Sequence, residues 1–369
     1  VRESTARAYL KPVMHRSNLK VITNALVRRI EFDEKHATGI SLKTKSETKS
    51  VRATREVILT AGAIASPMLL QHSGVGSEEV LDAAGVESVH RLPGVGENLQ
   101  DHLEVYFQFH CKQSVSLNNK LGLISKALIG ARWLLFKDGL GASNHFESCA
   151  FIRSKSGLKS PDIQYHFLPA AMRYDGTPSI PGHGFQVHVG PNKPKSRGRV
   201  RIKSADATQA PSILFNYYQT DEDIEAWRQC IRLTREIMQQ PAMDPYRGEE
   251  IQPGLNVSSD QEIDAWVKQN IESAYHPAGT CKMGEASDPL AVVDKDCCVH
   301  GLSNLRVVDA SVFPSLPNGN INAPVIMVAE KIADVILGVD PLQAAAVSIN
   351  VPKDWQNKQR EGSPVRDVG

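Results

Sequence analysis

The sequence predicts a mixed α/β fold, and three observations carry that expectation. Short runs of β-branched and aromatic residues are separated by Gly-, Pro- and Asn-rich turns, the pattern of strands. Between them lie longer stretches whose apolar residues recur at helical spacing. Near the C-terminal end the two patterns meet: the apolar run Leu305–Val307 passes through a polar loop into a helical stripe. A length of 369 residues is enough for two domains with separate cores.

The elements follow in order. Residues 19–32 read as extended, with Val21, Ile22, Leu26, Val27 and Ile30 as apolar positions. Val57–Leu59 reads as a buried strand. Ala61-Gly62-Ala63 then makes a tight passage into a helix, where small residues let backbone approach a ligand. Ordinary helix–strand packing would use the same residues. Residues 121–136 place Leu123, Ile124, Ala127, Leu128, Ala131, Leu134 and Leu135 at helical spacing, interrupted by Lys126 and Arg132. Such a helix packs on its own domain or a partner copy, or rests on a membrane. Strands are expected over residues 145–152, Ile163–Leu168, residues 185–189 and residues 200–202. Alternation puts His145, Glu147, Cys149 and Phe151 on one strand face, and Phe146, Ser148 and Ala150 on the other. Arg199, Arg201 and Lys203 fall on a solvated face. Residues 221–240 form a helix with Thr220 as N-cap and Ile224, Trp227, Ile231, Thr234 and Ile237 on one stripe. Ser259 and Glu262 form a capping box ahead of Ile263 and Trp266.

Lys and Arg total 42 against 41 for Asp and Glu, so charge gives no case for a nucleic-acid partner. No apolar run reaches membrane-spanning length. The 6 cysteines show no metal-ligand spacing and no disulfide framework. Cys281 reads as a packed thiol, and Cys297-Cys298 as part of a turn, so no metal site is expected.

Chemistry concentrates near the end. Tyr275-His276-Pro277-Ala278-Gly279-Thr280-Cys281-Lys282-Met283-Gly284 offers a histidine on a loop. Leu305-Arg306-Val307-Val308-Asp309-Ala310-Ser311 ends a strand. Asn318-Gly319-Asn320-Ile321-Asn322-Ala323-Pro324 then offers an asparagine and a helix start. Asn322 is the expected N-cap and Pro324 suits the first turn. Ile326, Val328, Ala329, Ile332, Val335 and Ile336 give the apolar stripe, and Gly338 the stop. A base, a donor for an alcohol oxygen and a helix N-terminus are the parts needed to take a proton and a hydride from an alcohol.

Three more stretches complete a pattern. They are Glu56-Val57-Ile58-Leu59-Thr60-Ala61-Gly62-Ala63-Ile64-Ala65-Ser66-Pro67 with Ser73-Gly74-Val75-Gly76, Leu92-Pro93-Gly94-Val95-Gly96-Glu97-Asn98-Leu99-Gln100-Asp101-His102, and Ser196-Arg197-Gly198-Arg199-Val200 leading towards Pro211 and Asn216-Tyr217. In this order the blocks resemble the glucose–methanol–choline (GMC) family of flavin-dependent oxidoreductases. Gly141-Ala142-Ser143-Asn144-His145-Phe146-Glu147 and Ile163-Gln164-Tyr165-His166-Phe167-Leu168-Pro169 resemble its choline-oxidising members.

The resemblance implies an FAD-binding Rossmann-type domain interleaved with an antiparallel-sheet substrate domain. Residues 1–103 would belong to the first, 104–270 to the second, and 271–340 would return to the first with the catalytic loop. Residues 341–369 form a polar tail. The family's Gly-x-Gly-x-x-Gly fingerprint is not found, so the chain is expected to be an incomplete, C-terminal portion of such an enzyme.

The resemblance further implies His276 as base and Asn320 as donor to the developing alkoxide, with hydride passing to flavin N5. Glu147 would face a trimethylammonium group, with aromatic walls such as Tyr165 and Phe167. Ala61, Gly62, Asp309, Ala310, Asn322, Ala323 and Pro324 would line the FAD. The reaction would be oxidation of choline, or of a similar small alcohol, towards betaine aldehyde and glycine betaine. Another alcohol dehydrogenase or oxidase of the family is the alternative, as is a catalytically silent chain that only binds partners. The resemblance leaves room for a membrane electron acceptor and a homo-oligomer. It points to the cytoplasm or the cytoplasmic face of a membrane, or to mitochondria in a eukaryote.

Overall fold

The computed structural model describes residues 3–173, 177–348 and 356–357. Most of the expected tail lies outside the described residues.

The first part holds β1 (Leu26–Asp33), β2 (His36–Lys43) and β3 (Thr48–Arg52), an antiparallel sheet in that order. Residues 19–25 carry no strand, because nothing covers Val21 and Ile22, which are exposed. β4 (Val57–Leu59) buries Val57 and Leu59 but leaves Ile58 42% exposed. It leads directly into α1 (Gly62–His72), entered through Gly62 at φ +81°. That backbone region strains any residue with a Cβ. β5 (Val75–Gly76), α2 (Glu78–Ala84) and β6 (His90–Arg91) follow. Ser77 caps α2, and Gly85 ends it in the left-handed region.

The middle of the chain builds a second layer. Its elements are β7 (Leu103–Cys111), α3 (Leu123–Phe136), β8 (Ser148–Ile152), β9 (Ile163–Leu168), β10 (Gly184–Pro191), β11 (Arg199–Arg201), β12 (Ser212–Leu214), α4 (Asp221–Met238), β13 (Arg247–Gln252), α5 (Asp260–Asn270) and β14 (Glu272–Ser273). Strands pair in the order β13-β7-β10-β9-β8, with β14 added to β7, and all ladders are antiparallel. Thr220 caps α4, and Ser259 with Glu262 closes a capping box on α5, as the sequence indicates. β8 begins at Ser148 rather than 145, since His145 has φ +66° and cannot continue a strand. Arg201 is not a free solvated cation: it bridges Glu79 and Glu97. Helix α3 buries none of its residues, and Leu123 is 88% exposed. Within the described chain its principal neighbour is the short turn Leu140–Ala142, where Gly141 approaches Trp133.

The last part returns to the first. β15 (Leu305–Val307) runs parallel to β4, pairing Leu305 with Val57 and Val307 with Leu59. α6 (Asn322–Leu337) follows and stops at Gly338 in the left-handed region. Its N-cap is Ile321, not Asn322, which is already helical. Burial of Ile321 against Phe313 and Leu316 sets that start. Of the expected α6 stripe only Ile332 is buried, with Val328 packed partly against the core.

Two apolar cores result. One joins Ile30, Val57, Leu70, Val75, Val293 and Val307. The other packs the inner face of the large sheet, including Phe107, Phe109 and Val187, on α4 and α5 through Trp227, Ile231 and Ile263. The segment Asn98 to His102 crosses between them. Gln71 stitches the same region, donating to the carbonyls of Val95 and Val200 and accepting from the Ile202 amide.

Candidate active site

The His276 loop is held from the start of β7. Asp101 accepts from the His276 amide at 2.9 Å and from the Tyr217 hydroxyl at 2.9 Å. Burial raises the Asp101 pKa, while hydrogen bonds from Ser273, Tyr217 and nearby amides oppose that rise. Tyr275 sits at φ +61°, with its amide bonded to the Ser273 hydroxyl at 2.9 Å. This turn carries the next side chain, His276, inward.

His276 meets two partners. Its Nδ1 lies 3.1 Å from Nδ1 of His102, with the rings edge to face. Its Nε2 lies 3.3 Å from Nδ2 of Asn320. Gln164 donates to the other amide atom, Oδ1 of Asn320, at 2.9 Å, which orients the amide. Burial lowers the His276 pKa, and nearby Glu104 works the other way.

These groups open on a cavity of about 460 Å³. Its walls include Glu104, Phe146, His166, His188, Tyr275 and the His276–Asn320 pair. Burial tends to raise the pKa of Glu104. Its bond with His188, at 3.1 Å, and the Tyr106 hydroxyl outweigh burial and hold it below the usual carboxylate value. Phe146 packs edge-on to His166 and His188, with centroids 5.9 and 5.5 Å away. Phe146 also borders a second, more apolar cavity of about 450 Å³ beneath α3.

The structure therefore brings His276 and Asn320 together, but it does not bring Glu147 to them. Glu147 is exposed, accepts from the Ser143 hydroxyl at 3.0 Å, and does not line the cavity. The carboxylate on the cavity wall is Glu104. Neither Tyr165 nor Phe167 forms an aromatic wall: Tyr165 is buried in the core and receives the Thr234 hydroxyl at 3.2 Å. Phe146 takes that place, because the chain before β8 is a turn and strand alternation does not apply to it. Glu104, His166 and His188 were missed. Period-2 alternation of β7, β9 and β10 around the Asp101-His102 motif was the available signal.

The remaining residues form a second group. Asp309 is buried and accepts from the Gly62 amide at 2.9 Å, the Ser66 hydroxyl at 2.6 Å and the Ser311 amide at 2.8 Å. It thereby locks Ala61-Gly62 to the end of β15. Ala310 accepts from the Gly279 amide at 3.1 Å, tying this group to the His276 loop. Asn322, Ala323 and Pro324 form the first turn of α6, one residue beyond Asn320, and no side chain caps that turn. Cys281 is buried, and burial pushes its thiol pKa far up, so it is inert packing. Among the described residues no cluster could hold a metal ion.

A histidine and an amide paired on a cavity, beside an uncapped helix start and a parallel strand pair, make up the candidate site of this mixed α/β fold. Two models of the GMC oxidoreductase family match residues 1–104 and 194–329, and the chain belongs to that family. It is 60% identical over 368 residues to the oxygen-dependent choline dehydrogenase of Photobacterium profundum, covering 100% of this chain and 65% of that protein. The protein of the same name from Brucella anthropi is 52% identical, with 97% and 65% covered. The crystal structure of pyridoxine 4-oxidase from Mesorbium loti superposes with a TM-score of 0.80 at 31% identity, covering 92% of this chain and 62% of that one. A formate oxidase gives 0.81 at 26% identity, covering 88% and 62%. The chain thus spans about 65% of the length of the curated relatives it matches.

Proposed function

We propose that this chain acts in the FAD-dependent oxidation of choline to betaine aldehyde, a step towards glycine betaine. The observation that carries the reading is the 3.3 Å approach of His276 Nε2 and Asn320 Nδ2 at the wall of the cavity. A primary hydroxyl set between them would donate to Nε2 and accept from the amide. His276 takes the hydroxyl proton as the O–H bond breaks, and Asn320 stabilises the alkoxide-like oxygen. The lowered His276 pKa keeps the ring neutral near neutral pH, so that one of its two nitrogens is free to accept a proton.

FAD, when bound, supplies the two-electron acceptor that takes the hydride from the alcohol carbon. The residues present fit it: the uncapped α6 N-terminus at Asn322–Ala323 suits an electron-rich ring, and Ala61-Gly62 and Asp309-Ala310 form a small-residue cradle. A trimethylammonium group offers no N–H donor, so it needs charge and ring faces. Glu104 and Phe146 supply these on the cavity wall, and Glu147 lies on the adjoining turn. The exposed placement of Glu147 favours a second reading, a neutral alcohol substrate.

Visible absorbance tests the reading. The purified chain is incubated with FAD, freed of excess, and given choline without oxygen. A bound flavin band that bleaches with choline is the expected outcome. A band that bleaches only with a neutral alcohol favours the second reading. No retained flavin overturns the activity for this chain.

A further inference from the structure

We propose that His102 is a positioning residue that sets the tautomer of His276 and so presents an unprotonated Nε2 to the substrate. The proposal rests on His276 as the base.

One group at the site has no choice of role. The carbonyl oxygen of Asn192 can only accept, and His102 Nε2 lies 3.0 Å from it. That nitrogen therefore carries a proton. His102 is 5% exposed, and burial, helped by nearby His276 and Lys193 and opposed by the carbonyls of Asn192 and Pro317, lowers its pKa to about 4. At neutral pH the ring holds one proton, so its Nδ1 is a lone pair. His276 Nδ1, 3.1 Å away, must then be the donor. A neutral His276 with its proton on Nδ1 leaves Nε2 as a lone pair, and the Asn320 amide facing it donates. Gln164 donates to the other atom of that amide, in keeping with this orientation. The contact with the Asn192 carbonyl assigns the tautomer, and the Gln164–Asn320 contact agrees with it.

A free imidazole prefers the proton on the other nitrogen, so this preference must be imposed. When His276 takes the hydroxyl proton at Nε2, its Nδ1–H stays on the His102 lone pair, which stabilises the imidazolium. His102 itself exchanges no proton. The ionisable groups facing the pair are Glu104, His166, His188 and Lys193.

The test uses the 369-residue chain labelled with ¹⁵N-histidine, without flavin. Multiple-bond ¹H–¹⁵N correlation at pH 7.5 to 8 reads each tautomer, and His276→Gln identifies the His276 signals. The expected result is protonated Nδ1 and bare Nε2 at His276. His102→Leu should shift His276 towards Nε2–H. His102→Gln should keep the original tautomer, since one amide can donate to Asn192 and accept from His276. A protonated Nε2 in the unaltered chain overturns the proposal, whatever the variants do. So does an unchanged tautomer in His102→Leu. In flavin-loaded protein His102→Leu should lose roughly a hundredfold in kcat with KM little changed, and His102→Gln should recover most of it. Because the tautomer is read without flavin or choline, failure to oxidise choline would overturn the functional reading and leave this result standing.

Discussion

His102 is buried neutral, and that has a cost in acid. The unfolded chain binds a proton at the ordinary histidine pKa of 6.5, but the folded chain does so only at about 4. Between those values the unfolded state holds more protons. Stability from this group is therefore full above pH 6.5 and falls as pH drops towards 4, by about 3 kcal/mol at most. Thermal unfolding followed by circular dichroism from pH 7.5 to 4 should show that decline, and it should flatten in His102→Gln. At Glu104 and Glu147 the prediction concerns binding. Glu104→Gln should raise KM for choline about tenfold or more and leave a neutral alcohol nearly unaffected, while Glu147→Gln should have a smaller effect. Steady-state kinetics with both substrates decides this; the reverse order would mean that the 143–147 turn closes on the substrate. His276 and Asn320, which meet on the cavity, could be singled out as candidates from the sequence because each lies inside a contiguous motif. His102 also lies in a motif, yet its contact with His276 was not legible, since the two meet across 174 positions. Glu104 was hidden for the same reason.

Elements were legible where local chemistry decides them. Thr220 and Ser259 announced α4 and α5 because a hydroxyl before an acidic first turn satisfies free amides in any context. The start of α6 was missed by one residue, because burial of Ile321 outranked the capping preference of Asn322. The start of β8 was missed by three, because the left-handed His145 has no sequence marker as plain as glycine. Close approach was likewise invisible. A Cβ on Gly190 would lie 1.8 Å from the carbonyl oxygen of Leu103, so β10 and β7 touch backbone to backbone beside His102. Gly190→Ala must part them and should cost roughly 1–3 kcal/mol. Urea unfolding measures the loss, and an unchanged midpoint would show that the strands do not meet this way.

At the scale of the molecule, the two cores and the bare α3 give opposite expectations. Trp227 is 1% exposed between α4 and the large sheet, so Trp227→Ala should cost about 3–5 kcal/mol. Leu128 is exposed on α3, so Leu128→Glu should change monomer stability by less than about 0.5 kcal/mol. Calorimetry on dilute protein separates the cases; a large loss at Leu128 would mean that α3 is covered. Periodicity revealed α3 as apolar but could not say what it packs on, because a stripe carries no address. No helix among the described residues is long and apolar enough to cross a membrane. The mixed α/β class was readable from alternating periods alone. The strand partners were not: β4 finds β15 nearly 250 residues away, and no local rule encodes that pairing.

The His276 loop is held at the start of an interior strand of the large sheet. Asp101 and His102 are the two residues immediately before β7, and β7 bonds to β10, β13 and β14. A strand flanked on both sides opens to solvent only when its neighbours come away. Amide hydrogen exchange should thus be slowest in β7, and warming should leave the His102–His276 register intact until the sheet itself melts. The His102–His276 geometry would then have no softening regime of its own. Heat inactivation and loss of the sheet should follow one curve, so that a protein damaged by heat is present as either fully aligned or absent, with no slow, misaligned population between.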